Sequence, residues 1–245
     1  MFYRKYRPQT WSDLDNQQIR ETLGKAVMAN NWSHAYLLLG SRGTGKTTTA
    51  RLIAKTINCT DRKKGEEPCN KCDSCKAVTA GTTLDVIEID AASNTGVDDI
   101  RDLREKVKLA PSSSSHKVYI IDEVHMLSTS AFNALLKTLE EPPEHVVFVL
   151  ATTDPQKLPD TIISRCLVYD FGKSLNTEIK NKLEKIIAKE KIEVSAKVLD
   201  QIIKNANGSH RDAQKLLEQT NGSSANQDLE RPDALNLIKF LAKRN

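Results

Sequence analysis

The sequence predicts an α/β domain built on a parallel sheet, followed by a smaller all-helical domain. Short apolar runs rich in β-branched residues alternate with helix-compatible stretches. A glycine-rich loop joins the first run to the first long helix, and beyond Phe171 only helical periodicity remains. Strands separated by helices require crossover connections, and right-handed crossovers make parallel pairs.

The first strand is AYLLL (Ala35–Leu39), ended by Gly40, with a helix from Lys46 to about Ile57. LDVIEID (Leu84–Asp90), KVYII (Lys117–Ile121) and VVFVLA (Val146–Ala151) follow as strands. Each is short and bounded by polar residues, as strands buried on both faces are. Between them, VDDIRDLREKVKLA sets Val97, Ile100, Leu103 and Val107 on one helical face, and SAFNALLKTLEE ends against Pro142-Pro143, where a helix cannot continue. From about Gly172, NTEIKNKLEKIIAKEKI, SAKVLDQIIKNA and SHRDAQKLLEQ are helical segments. Asn221–Asp233 is a polar, turn-rich loop before a last short helix, ALNLIKFLAKR, and Ser112–Ser115 is a surface loop. The expected domains are residues 1–172 and 173–245.

A chain of 245 residues can bury one substantial core, or one core with a small satellite. At 39% hydrophobic and 28% charged it has the composition of a soluble globular protein. No apolar run approaches a membrane span, and MFYRKYRPQTW holds no signal-like stretch, so the expected location is the cytoplasm with no membrane partner. A net charge of +4 does not by itself imply nucleic-acid binding; any DNA contact must be local or shared with partner subunits.

Gly40-Ser41-Arg42-Gly43-Thr44-Gly45-Lys46-Thr47 fits G-x-x-x-x-G-K-[ST], follows a strand and opens a helix. The glycines let backbone N–H groups turn inward around phosphate, and the helix N-terminus adds partial positive charge. Lys46 is expected on the β and γ phosphates and the Thr47 hydroxyl on Mg²⁺, with Thr48 completing the cradle. KVYIIDEVHML ends a strand in two carboxylates: Asp122 suits the Mg²⁺ hydration shell, and Glu123 the polarisation of an attacking water. In LATTD, Thr153 or else Thr152 can reach the γ-phosphate or the water, although a threonine is also an ordinary strand-end residue. Arg165 in TIISRC and Arg211 in GSHRDA are together candidates to stabilise charge on the γ-phosphate, the first in a neighbour's site; either alone reads more readily as a surface salt bridge.

Four of the five cysteines, Cys59, Cys69, Cys72 and Cys75, gather in one polar stretch of residues 59–76. Four soft ligands at this spacing call for a tetrahedral structural Zn²⁺, with an iron–sulfur cluster as the competing occupant. Cys166 stands alone and reads as a plain buried thiol.

Together YRKYRPQTWSDL, GSRGTGKTTTA, the four-cysteine insertion, IDAASNTGVDDIRDL, YIIDEVHMLSTSAFNALLKTLEEPPEHVVFVLATTDPQKLPDTIISRC and GSHRDAQKLLEQ resemble the gamma/tau family of bacterial DNA polymerase III subunits, clamp-loader AAA+ ATPases. The resemblance covers roughly Tyr3 to Gln219. It implies a P-loop AAA+ domain with a zinc-binding insertion and a small helical lid, an ATP-hydrolysing motor that opens the sliding clamp and loads it onto primed DNA. It implies ATP, Mg²⁺ and Zn²⁺ as cofactors. The implied partners are the delta and delta-prime subunits, further gamma/tau copies, the clamp and primer-template DNA. By the same resemblance Thr153 is sensor 1, Arg165 the arginine finger acting in trans and Arg211 sensor 2. Arg4, Tyr6, Arg7 and Pro8 lie near the adenine, and helix starts after Ala92 and Ser128, with Lys137, face DNA. Where relatives often read Gly-Gln, this chain has Asn16-Gln17. The sequence stops at Asn245, before the third helical domain that forms the ring collar in family members, so the expectation is a fragment or an exchanged end. Two other readings are a non-hydrolysing subunit resembling delta-prime, against which Lys46, Thr47 and Glu123 weigh, and a branch-migration motor, which the cysteine cluster disfavours.

Overall fold

The computed structural model describes residues 1–93, 103 and 105–221. Five strands form one sheet: β1 (Ala35–Leu39), β2 (Val86–Asp90), β3 (Lys117–Asp122), β4 (Val146–Thr152) and β5 (Leu167–Asp170), in the order β2-β3-β4-β1-β5. Every pairing is parallel. Four of these strands are those the apolar runs predict. The fifth, β5, is an edge strand of only four residues, too short to stand out as an apolar run.

Alternate residues of the central strands serve two core layers, as a pleat with period two requires. On one face Tyr36, Leu38, Val147 and Val149 pack with Ala50, Ile53 and Ile57 of α4 (Lys46–Asn58), while Leu37, Phe148 and Leu150 face the other layer. That layer is filled by Leu103, Val107 and the Ala131, Phe132, Leu135 and Leu139 side of α6 (Thr129–Glu140), which Ser128 caps by accepting from the Ala131 N–H. The expected helix through Val97 and Ile100 lies at those two positions outside the described residues.

The first layer is closed by the N-terminal segment. A helical stretch runs as α2 (Gln17–Ile19), a π-helical turn (Arg20–Gly24) and α3 (Lys25–Met28), with Asn16 capping its start by accepting from Ile19 N–H at 3.0 Å. Trp11 is fully buried beneath it and donates from Nε1 to Thr56 Oγ1 at 2.8 Å. A helix α5 (Asp73–Ala80) follows the cysteine-rich loop, unanticipated because Cys, Asp and Ser lead it rather than an apolar stripe.

The contacts divide the chain into two compact units, Arg7–Lys173 and, separately, Met1–Tyr6 together with the residues from Ser174 on. Residues 1–6 therefore group with the helical unit and not, as the expected boundary has it, with the sheet. Two long-range contacts account for it. Phe2, on the short helix α1 (Phe2–Lys5), packs among Ile179, Ile186, Ile202 and Leu217, and the N-terminal ammonium pairs with Glu218 at 3.1 Å. The remaining helices of this unit are α8 (Asn176–Glu190), α9 (Ala196–Ala206) and α10 (His210–Asn221); α7 (Asp160–Ile163) belongs to the first unit. The loop and last helix expected beyond Asn221 lie outside the described residues. Among the described residues, no helix is long and apolar enough to cross a membrane.

Ser112–Ser115 is a loop as expected, but a tethered one. The fully buried Asp85 carboxylate accepts from the N–H groups of Ser112, Ser113 and Ser114 at 2.7, 2.9 and 2.8 Å. Burial alone would raise its pKa, yet the three donors outweigh that and hold it below the usual carboxylate range. Its contribution is therefore complete above the ordinary carboxylate pKa and is lost as pH falls through the lowered folded value. Asp85→Asn is expected to cost about 1–3 kcal/mol near neutral pH. The gap from the parent should narrow below about pH 4, read from urea unfolding at several pH values. Gly24→Ala tests the other layer. A side chain there would meet Trp11 Cε3 at 2.9 Å. Helix propensity favours alanine by about 1 kcal/mol, but overpacking against a fully buried indole should reverse the sign and lower stability by about 1–3 kcal/mol in the same measurement.

Candidate nucleotide site and metal centre

Because all strands are parallel, their carboxyl ends share one edge. The register sets Leu39 beside Thr152 and Asp90 beside Asp122. The loop after β1, the Asp122-Glu123 pair after β3 and the threonines ending β4 therefore meet at one end of the sheet, the usual ligand site of open α/β sheets.

In the loop, Gly40, Gly43 and Gly45 take φ of 140°, 81° and 105°, values that L side chains rarely adopt. Gly40 has a second reason: a Cβ there would meet Phe171 Cβ at 2.9 Å. Gly45 caps α4, so the helix opens where the loop closes. Thr44 is buried, its hydroxyl donating to Ser41 O at 2.9 Å, while Arg42 is exposed and Thr48 half-buried. Lys46 is 5% exposed, and its Nζ donates to the carbonyls of Gly40 and Ser41 at 2.7 and 2.9 Å. Burial pushes its pKa down, opposed by the carboxylates of Glu123 and Asp122.

The Thr47 hydroxyl donates to Asp122 Oδ2 at 2.7 Å, joining the two residues expected around Mg²⁺. Glu123 sits at φ 49°, ψ 44°, a left-handed conformation costing about 1 kcal/mol or more for a non-glycine residue. Its Oε2 accepts from both the N–H and the hydroxyl of Thr153, at 3.2 and 2.9 Å. Thr153 thus holds the carboxylate itself. Thr152, the alternative, is fully buried, and its hydroxyl lies 2.9 Å from His125 Nδ1, which is also 3.5 Å from Glu123 Oε2. Sequence reasoning overlooked His125; its position two residues beyond the carboxylate pair was the available signal.

The other expected residues fall elsewhere. Arg165, two residues beyond α7, donates from Nη2 to Glu140 Oε1 at 2.6 Å and from Nη1 to Thr161 O at 2.8 Å. In the helical unit, the Arg211 guanidinium lies 4.9 Å from the Tyr3 ring centroid, with Arg4 5.8 Å from the same ring. The Tyr6 hydroxyl donates to the Glu190 carboxylate. Arg7 and Pro8 begin the sheet unit.

Cys59, Cys69, Cys72 and Cys75 bring four Sγ atoms within 4.8 Å of one another. Cys59 and Cys72 are 3.9 Å apart, Cys69 and Cys75 4.0 Å. A tetrahedron of 2.3 Å zinc–sulfur bonds has edges of about 3.8 Å, so the thiols fit a single ion, whereas a cluster carrying its own irons and sulfides needs more room. Backbone N–H groups of Lys71 and Cys72 point at Cys69 Sγ at 3.4 and 3.3 Å, and that of Cys75 at Cys72 Sγ at 3.5 Å, the polar support thiolates require. Cys166 is half-buried rather than fully buried, and burial pushes its thiol up to about 11.

A family model described as DNA polymerase III, delta subunit, matches residues 15–175, and one described as DNA polymerase III clamp loader subunit, ATPase lid domain, matches residues 178–224. The chain is 54% identical to DNA polymerase III subunit tau of Bacillus subtilis over 218 residues, covering 89% of this chain and 38% of that protein. It is 46% identical to subunit tau of Escherichia coli over 255 residues, 99% of this chain and 39% of that one. The chain belongs to the DNA polymerase III gamma/tau clamp-loader family. It spans 60% of a shorter member, the subunit gamma of Buchnera aphidicola, at 48% identity. Among solved structures, the Thermotoga maritima RuvB Holliday junction branch migration motor matches with a TM-score of 0.62 at 19% identity, covering 89% of this chain and 65% of that one. That likeness is one of fold, the AAA+ fold. The gamma/tau kinship, with its much higher identity, is the stronger relation.

The Arg165–Glu140 pair is partly exposed, with side chains 33% and 48% accessible. Such pairs contribute less than about 1 kcal/mol. Arg165→Ala is accordingly expected to leave the thermal unfolding midpoint nearly unchanged; a large drop would show that the arginine holds the fold.

Proposed function

We propose that this chain is an ATP-hydrolysing motor subunit of a DNA polymerase III clamp loader, opening a sliding clamp and loading it onto primed DNA. The observation that carries the reading is the convergence of Lys46, Thr47, Asp122, Glu123 and Thr153 on one sheet edge, in a chain of gamma/tau kinship.

Each residue then has a role set by its chemistry. The amides of Gly40–Thr48 cradle the phosphates, and Lys46 leaves the Gly40 and Ser41 carbonyls for the β and γ phosphates. Thr47 and Asp122, which are in contact, would together hold Mg²⁺, which would supply neutralisation of phosphate charge. Glu123 turns from Thr153 to the attacking water and takes up its proton. Thr153, freed of the carboxylate, senses the γ-phosphate with its hydroxyl. Arg165 leaves Glu140 to serve the neighbouring subunit's nucleotide, and Arg211 acts in its own. Arg4, Tyr6, Arg7 and Pro8 are assigned to the adenine end. Zn²⁺ on the four cysteines staples a segment too polar to fold alone. Lys137, exposed on α6, is assigned to DNA phosphate. Delta, delta-prime, further gamma/tau copies, the clamp and primer-template DNA are the proposed partners, in the cytoplasm.

A non-hydrolysing structural role resembling delta-prime is favoured only by the delta-subunit description of one family model. Lys46, Thr47 and Glu123 weigh against it, since a subunit that does not hydrolyse has no use for the full set. ATP turnover by the ring reconstituted with partner subunits, clamp and primed DNA separates the two. Glu123→Gln should retain nucleotide binding and lose about 10²–10⁴-fold in turnover attributable to this subunit. Unchanged turnover would overturn the motor assignment.

A further inference from the structure

We propose that Glu67 couples the four-cysteine metal centre to the phosphate loop, making it a positioning residue through which metal occupancy sets nucleotide affinity. The proposal rests on the nucleotide-site reading above and adds a determinant outside that site.

The insertion does more than close on its own thiols. Glu67, two residues before Cys69, accepts the N–H of Trp11 on Oε2 at 2.7 Å and that of Ser12 on Oε1 at 2.8 Å. Asn70, between Cys69 and Cys72, accepts at 2.6 Å from the buried Lys55 ammonium, which also donates to Gln9 Oε1 at 2.7 Å. The Thr79 hydroxyl lies 3.2 Å from the same Gln9 oxygen and 2.8 Å from the carbonyl of Cys75. Glu67 thus holds Trp11 and Ser12 directly, Thr79 of α5 touches Gln9, and Asn70 reaches Gln9 through Lys55.

The gripped segment leads straight to the phosphate loop. Two residues after Ser12, the buried Leu14 has its Cδ1 3.9 Å from where a side chain on Gly45 would begin. Gly45 is the residue that caps α4 and bounds the cradle. The path runs along the chain from Cys69 to Glu67, by hydrogen bonds to Trp11 and Ser12, from Trp11 O to the Leu14 N–H at 3.0 Å, and from Leu14 to the open side of Gly45.

Without a metal, the loop from Cys59 to Cys75 has too little apolar surface to hold its shape. Glu67 then leaves the two amides, the segment under Leu14 loosens, and nucleotide must bind a loop populated only in part in its competent form. A coupling of this kind is reciprocal: nucleotide strengthens metal binding by the same factor by which metal strengthens nucleotide binding.

The test uses the full chain, zinc-loaded, stripped with a chelator and reloaded, titrated calorimetrically with ATPγS and Mg²⁺. Stripping should weaken ATPγS binding about tenfold, within the usual range of coupling between sites, and zinc should restore it. Glu67→Ala, with all four cysteines intact and zinc content unchanged, should show the weak affinity with or without zinc, and Glu67→Gln should recover part of it. Saturating ATPγS should raise zinc affinity, read by competition with a chromogenic chelator, about tenfold in the parent and not in Glu67→Ala. A purely structural glutamate would not give that reciprocal shift. Equal ATPγS affinity in loaded and stripped parent, zinc affinity indifferent to ATPγS, or full coupling kept in Glu67→Ala overturns the proposal, and if Glu67→Ala does not fold, full coupling kept in Glu67→Gln overturns it instead. Failure of the nucleotide-site reading looks different: zinc-loaded parent and Lys46→Ala would both fail to bind.

Discussion

Everything at the candidate site depends on strand direction. Five strands running the same way place their carboxyl ends together, and only then do a glycine loop from β1, two carboxylates from β3 and two threonines from β4 occupy one small volume. Reversing any one of the three would send its polar residues to the far edge. The two apolar layers that enforce this arrangement are built from alternate residues of the same strands, so the core and the site share one period of two.

Within that edge the polar groups satisfy one another. Lys46 bonds loop carbonyls, Thr47 bonds Asp122, and Thr153 takes up Glu123. A buried ammonium and two carboxylates would be costly if left unpaired, and these internal bonds offset that cost. They also define what a triphosphate has to displace. Glu123 is held in a left-handed conformation and bound to a residue that, in the proposed reaction, must release it.

The N-terminal segment ties the two chemistries together. Trp11 packs under the π-helical turn, Leu14 lies against Gly45 and Asn16 caps α2, while the metal loop holds Gln9 to Ser12 from outside. A stretch of eight residues thus touches the thiol module at one end and the phosphate loop at the other. An insertion with no core of its own can act on a site only through such contacts.

Much of this was legible in the chain alone. The phosphate loop, the Asp122-Glu123 pair and the four cysteines carry their chemistry in local spacing. The strands β1, β3 and β4 carry theirs in apolar runs, because burial on both faces leaves no polar alternation to obscure them, and the half-exposed edge strand β2 is marked by Val86, Ile87 and Ile89. What the sequence could not disclose is what each polar side chain touches. The edge strand β5 is hidden by its length of four residues, and α5 has no apolar stripe. Residues 1–6 join the helical unit through Phe2 and Glu218, partners more than 170 residues away. Thr153 on Glu123, Asp85 under the serine loop and Glu67 on the Trp11 and Ser12 amides are equally nonlocal. Local spacing determined the chemistry available to this protein, since residue type and period act within a few positions. The tertiary structure decided which of those groups meet, because hydrogen bonds and packing join residues that only the folded chain brings within reach.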